Sequence, residues 1–415
     1  MAVDAALLDR AGELKRELVA FSRQPRYDRA FSEVLARHGS GSEVLNEHRL
    51  MMLWDYFALE HRLRNGRTIV EQFVDAHAEL SRQERKMLLG WRDVVQGPFE
   101  VQRRDGPALI VVNLVDDLTY RVRSNMGTAV FRQMPRRSFL ITRLVPVGEE
   151  WMLSGPTSVL RPAERDVAYR LAFEMSLRTP EAVYRNPEKL AKAWEIQRAD
   201  RQRFIGFFGA DLVVVRGDQA QQRLNEFHEF CRDEVLRTTP GAARRGGGAA
   251  APVVELPLNL VESETVALIY DEDDGLGFYA EFGLVEATFA DPDLVRRRRY
   301  REQVLSYLHD DSVEPMVLGR LADRDPDKAS VLFRRLLKRP RFDWARDGEE
   351  LLRTAKAAYL ARVPRPRVSP VSERLAAYAG DGEIRLSPAR SSPGVAGLGA
   401  AGDRGSGDTR RESRP

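Results

Sequence analysis

Near residue 97 the spacing of apolar residues changes its period. About ninety-five residues of helical patterning give way, over residues 98–159, to alternation with a period of two. Helical stripes and alternating strands each leave one apolar face to be buried. A chain that switches between them must therefore pack a compact strand-built unit against helices.

Before the switch, residues 5–19 and 27–37 carry amphipathic spacing, the second segment stopping at Gly39. Residues 46–64 place Leu50, Leu53, Trp54, Phe57 and Leu63 along one face and end at Asn65-Gly66. Thr68 with Glu71, and Ser81 with Glu84, have capping-box spacing, in which the hydroxyl accepts from the third backbone N–H and the carboxylate reaches back. At least four helices are expected before Trp91. After the switch, residues 99–103, 108–114, 118–123, 138–145 and 151–154 read as strands, with turns at Asp105-Gly106 and Asp116-Asp117. Residues 108–114 are apolar on both faces except at Asn113, which predicts a strand covered on both sides.

The expected fold class is α+β: a helical layer packed on a small β-barrel or sandwich, plus a mixed, mainly helical C-terminal domain. The segments are 1–96, the helical layer; 97–160, the barrel; 161–237, a helical extension with one short strand at 212–215; and 238–252, a Gly- and Ala-rich flexible linker. An α+β domain follows over 253–379. It contains a hairpin of strands 266–270 and 276–279 and helices opening at Asp291-Pro292 and Asp325-Pro326. Residues 380–415 hold too few large apolar side chains to offset ordering entropy and are expected to be disordered.

With 65 Lys and Arg against 62 Asp and Glu, the formal charge is +3, so affinity for polyanions has to come from local patches. The single cysteine, Cys231, excludes an internal disulfide and a multi-cysteine zinc site, and fits a reducing compartment. Asp4 and Asp9 interrupt any secretory leader, and no apolar run is long enough to cross a bilayer. A soluble, cytoplasmic protein is expected.

The candidate binding residues lie in the strand-built stretch. Arg121, Arg123, Arg136, Arg137 and Arg143, with Trp151, form the mixture by which small barrels hold single-stranded nucleic acid, guanidinium on phosphate and aromatic ring on base. A solvated arginine face is the alternative reading. The run from Arg296 to Arg299 spreads around a helical turn and reads as a surface neutralised by the acidic turn Asp271 to Asp274. That turn lacks the register of a calcium loop, and His228 with Cys231 supplies at most two ligands, so neither metal nor cofactor is expected. Nucleotide-binding loops and nucleophile elbows are missing from the sequence, so no catalytic residue is assigned.

The run RNGRTIVEQFVDAHAELSRQERKMLLGW, followed by RLVPVGEEWMLSGP, resembles uncharacterised bacterial proteins. Its helix-plus-small-β layout is similar to the region preceding SEC-C zinc motifs. The Cys and His residues of that motif are absent, so the resemblance implies a layout and carries over neither zinc nor activity. The expected function is that of a non-enzymatic interaction or scaffold protein whose partner is a protein or single-stranded nucleic acid. The alternative is a hydrolase or transferase with a site assembled from dispersed carboxylates and arginines.

Overall fold

The computed structural model describes residues 3–38, 47–238, 255–370, 372, 374 and 375. The expected tail lies outside these residues, as does the expected linker apart from Thr238. The chain is a mixed α and β structure, as the change of period requires.

Among the described residues five α-helices form the N-terminal layer: α1 (Ala5–Ser22), α2 (Asp28–His38), α3 (Glu47–Leu59), α4 (Ile69–Ala76) and α5 (Arg82–Gly90). Both expected capping boxes are present, at Thr68 for α4 and Ser81 for α5. Helix α3 stops at Leu59 rather than near Arg64. The chain folds back there, with Leu63 donating to the Arg67 carbonyl and Gly66 in a left-handed conformation, φ 77°. Leu14, Leu18, Phe57, Phe73 and Trp91 share one core with Val145, Val147 and Met152 from the strands, so the helical layer and the strands bury each other.

The strands are β1 (Val95–Asp105), β2 (Ala108–Asn113), β3 (Thr119–Arg123), β4 (Phe139–Val147) and β5 (Glu150–Leu160). They pair in the order β1-β2-β3-β5-β4, and β4 pairs back onto β1, leaving no strand with a free edge. All pairings are antiparallel except β3 with β5, a short parallel contact at Val122↔Trp151 and Arg123↔Met152. Phe99, Val101, Leu109, Val111, Tyr120, Val122, Leu140 and Leu144 fill the interior. Strand β2 is buried over Ala108–Val111 and at Asn113, as its double-sided apolar pattern predicts, with Val112 half-buried.

The next elements are α6 (Arg165–Arg178), α7 (Pro180–Val183), α8 (Pro187–Phe208), β6 (Leu212–Val215), α9 (Gly217–Thr238), α10 (Leu258–Val261), β7 (Val266–Asp271) and β8 (Gly275–Ala280). Strand β6, expected with the helical extension 161–237, is instead an edge of a three-stranded antiparallel sheet with β7 and β8. Its four apolar residues find their hydrogen-bond partner across the linker, which a local reading of the pattern cannot show. The helices α11 (Phe282–Ala290), α12 (Arg298–His309), α13 (Pro315–Asp323), α14 (Pro326–Leu337), α15 (Trp344–Ala355) and α16 (Ala357–Leu360) complete the described fold. Val266, Leu268 and Tyr270 face Phe204, Leu224 and Phe227 of α8 and α9. Ala267 and Ile269 face Phe282, Leu308 and Phe333 on the other side. Cover on both faces is why β7 reads as an unbroken apolar run. Gly217 is required at the start of α9, because a Cβ there would lie 2.2 Å from the Ser263 carbonyl oxygen.

The arginine run at 296–299 does not lie on one helix. Pro292–Arg296 forms a 3₁₀ turn, Arg297 is extended, and α12 begins at Arg298. Its acidic partners are also not the turn at Asp271 to Asp274: Arg296 pairs with Asp293, Arg298 with Glu302, and Arg299 with Glu264 and Glu281.

Candidate nucleic-acid interface

The strand-built unit places its arginines in three different environments. Alternation along β3 turns Tyr120 and Val122 inward and Arg121 and Arg123 outward. The Arg121 Nε donates to Glu150 at 2.7 Å and its Nη1 to Asp105, while Arg123 shares Glu150 at 3.0 Å and donates to the Val3 carbonyl. Two guanidinium groups and two carboxylates thus form a neutral ladder. These hydrogen bonds lift the Arg121 pKa further above its ordinary value, Glu150 contributing most.

Arg143 also points out of the closed sheet, but the outward face of β4 is where the helical layer sits. Its side chain is 3% exposed, with Nε donating to Asp55 at 2.7 Å, one Nη to Gln96 at 2.7 Å and the other to Glu60. Asp55 also accepts from Ser154 and pairs with Lys15 of α1 at 2.5 Å. Burial alone would raise the Asp55 carboxyl, but Lys15 and Arg143 outweigh it and hold the group below its ordinary value. Arg143 is therefore a buried partner of Asp55 and Glu60, out of reach of a phosphate. The expectation that it belongs to a binding surface is corrected: alternation tells which face of a strand a side chain takes, not what covers that face.

Trp151 is half-buried, edge-on to Tyr120 at 5.2 Å between ring centroids, and packs against the interior of the sheet. It is held by that core, so base stacking on an open indole face has no support here.

The third environment is the end of the sheet where the β1–β2 hairpin meets the segment joining β3 to β4. That segment forms a 3₁₀ turn, Thr128–Gln133, which seats Phe131 and Met134 on the open end of the core. Anchoring is by main chain: Arg137 N donates to the Val101 carbonyl at 2.8 Å, Val101 N donates to Ser138, and Arg104 Nη2 reaches the Thr128 carbonyl at 3.2 Å. With the apolar positions committed inward, Arg132, Arg136 and Arg137 are left exposed beside Arg103 and Arg104. Asp105 contacts this group, 3.7 Å from Arg103, and that same carboxylate is engaged by Arg121. Guanidinium groups exposed this way, with little competing acid, are suited to phosphate oxygens.

Of the expected residues, the structure thus leaves Arg136 and Arg137 exposed at the end of the sheet, sets Arg121 and Arg123 in a neutral ladder, and buries Arg143. Arg103 and Arg104 were not legible as site residues. Their one signal is their place beside the Asp105-Gly106 turn, where a strand outruns the sheet.

Two buried polar centres elsewhere, at Glu314 and Gln197, are engaged by groups of the same chain. Glu314 accepts from Tyr279 at 2.6 Å and from Arg367 at 2.7 Å, and Gln197 bonds the carbonyls of Glu272 and Asp273. His228 and Cys231 lie near Asp200. Burial lowers the imidazole, and burial together with Asp200 pushes the thiol up to about 12. Among the described residues no group of three or more His, Cys, Asp or Glu could hold a metal ion, and no helix is long and apolar enough to cross a membrane.

No family model, curated protein or solved structure matches this chain.

Proposed function

We propose that the protein is a non-enzymatic binding module that takes single-stranded nucleic acid at the 3₁₀-turn end of a small β-barrel. The carrying observation is that Arg103, Arg104, Arg132, Arg136 and Arg137 are exposed at one end of the closed sheet, and that among the described residues the one carboxylate pairing with any of them is Asp105, at Arg103, which Arg121 also engages. A small five-stranded β-barrel is an architecture on which oligonucleotides can be bound, and this supports the reading by analogy. Phosphate contacts supply the affinity, so recognition is tolerant of sequence and steeply dependent on salt.

The test is a fluorescence-anisotropy titration of a labelled strand of about 15 nucleotides at two salt concentrations. Four or five phosphate contacts predict a log–log slope of about −3. Affinity indifferent to salt, or no binding at low salt, would remove nucleic acid as the ligand.

A further inference from the structure

A second basic site lies in the helical layer, away from the strands. The 3₁₀ turn Pro25–Tyr27, helix α2 and the turn after α3 line an open groove of about 510 Å³ that carries Arg26, Arg29, Arg37, Arg62 and Arg64 against one carboxylate, Glu33, among the described residues. These residues come from two stretches far apart in sequence, and the fold-back after Leu59 brings the second beside α2. Tyr27, Ala30 and Leu63 contribute to the lining, and Tyr27 is buried with its hydroxyl tied to Gln72 at 2.9 Å.

The charges are only partly compensated. Glu33 pairs with Arg64 at 2.6 Å and with Arg29 at 3.4 Å. Arg62 donates to the Gly66 carbonyl, and Arg26 lies over the rings of Phe21 and Tyr27, contacts that fix the guanidinium groups without neutralising them. Among the described lining residues, five arginines against one glutamate leave four positive charges around one concavity. Low-dielectric walls concentrate that field, and the volume falls in the range of small-molecule sites.

We infer that this groove binds a polyphosphate anion, either free or as the phosphate chain of a nucleotide. Several planar donors lining one groove match the many oxygens and the several charges of such a chain, where a single carboxylate or chloride would leave most of them unused. The inference stands independently of the barrel end.

Calorimetric titration of the full-length protein with inorganic tripolyphosphate and with ATP, at about 0.1 M salt, tests it. Saturable binding of one equivalent is expected. Tighter ATP binding assigns a nucleotide; equal affinity assigns the phosphate chain alone. The double variant Arg37→Gln/Arg64→Gln should weaken binding by about tenfold or more. Glu33→Gln should tighten it, a change of opposite sign that damage to the fold would not produce and that remains decisive if the double variant is unstable. Arg136→Gln/Arg137→Gln, at the barrel end, should leave it unchanged. Absence of binding by both anions, or affinities unmoved by the groove substitutions, would overturn the inference.

Discussion

Arg143, on β4, and the pair Arg136–Arg137, in the turn that leads into β4, have opposite fates. Arg143 is held by Asp55, Glu60 and Gln96 under the helical layer, whereas Arg136 and Arg137 stand exposed on the turn that closes the sheet's end. The difference teaches that in an arginine-rich chain the residue type is uninformative by itself. What decides is which carboxylates and which elements the fold brings over each guanidinium. A buried arginine fixes how two layers fit together; an exposed one with little competing acid is left over for a ligand.

The sharpest break in that contrast is made at the buried end. Arg143→Ala leaves Asp55 and Glu60 without their shared cation and should cost about 3–5 kcal/mol, read as a fall in the urea midpoint. A loss below about 1 kcal/mol, the range of exposed pairs, would show that the junction is not held this way.

Asp55 has a counterpart in Asp116, buried in the turn between β2 and β3. Asp116 accepts from the Tyr120 hydroxyl at 2.6 Å and from Leu118 N, and among the described residues no guanidinium or ammonium pairs with it. Burial dominates and pushes its carboxyl up to about 6. Between the ordinary aspartate value and about 6, the folded chain holds a proton that the unfolded chain has released. This contribution to stability is therefore complete below about pH 4 and is lost as pH rises through 6, by about 2–3 kcal/mol. Comparing urea midpoints at several pH values for the natural chain and Asp116→Asn isolates it. Equal pH profiles would show that Asp116 does not carry the proton.

At the exposed end the effect should fall on binding alone. The triple variant Arg132→Gln/Arg136→Gln/Arg137→Gln should hold its melting temperature, since exposed substitutions shift stability by about 0.5 kcal/mol or less. Its affinity for a single strand should drop by about tenfold or more, and its salt slope should shrink by about 2. An unchanged slope would place the phosphate contacts elsewhere. The smallest effect concerns Cys231, whose thiol is raised by burial and Asp200. Aromatic disulfide reagents should react with it slowly at pH 8 and quickly once urea unfolds the chain, and a fast reaction in the folded state would contradict that environment.

Much of the architecture was legible because its signals are local. The period change marks where strands begin, Thr68 and Ser81 announce helix starts, and Tyr120 and Val122 alternate with Arg121 and Arg123 as one inward face requires. What escaped depends on distant partners. Strand β6 pairs with β7 across the linker, Arg143 meets Asp55 from another layer, and the 296–299 run is broken at Arg297. Arg103 and Arg104 join the candidate interface only because the β1–β2 hairpin extends beside the 3₁₀ turn. The basic groove is likewise invisible in sequence, since its two halves meet only after α3 ends early.

The contrast between covered and exposed arginines is tested most directly by arginine-selective dicarbonyl modification, read by mass spectrometry with and without a single strand of about 15 nucleotides. Arg103, Arg132, Arg136 and Arg137 should react readily in the free protein and be protected by the strand, while Arg143 stays unreactive in both. Rapid modification of Arg143 in the folded chain, or identical labelling of Arg136 and Arg137 with and without a bound strand, would contradict it.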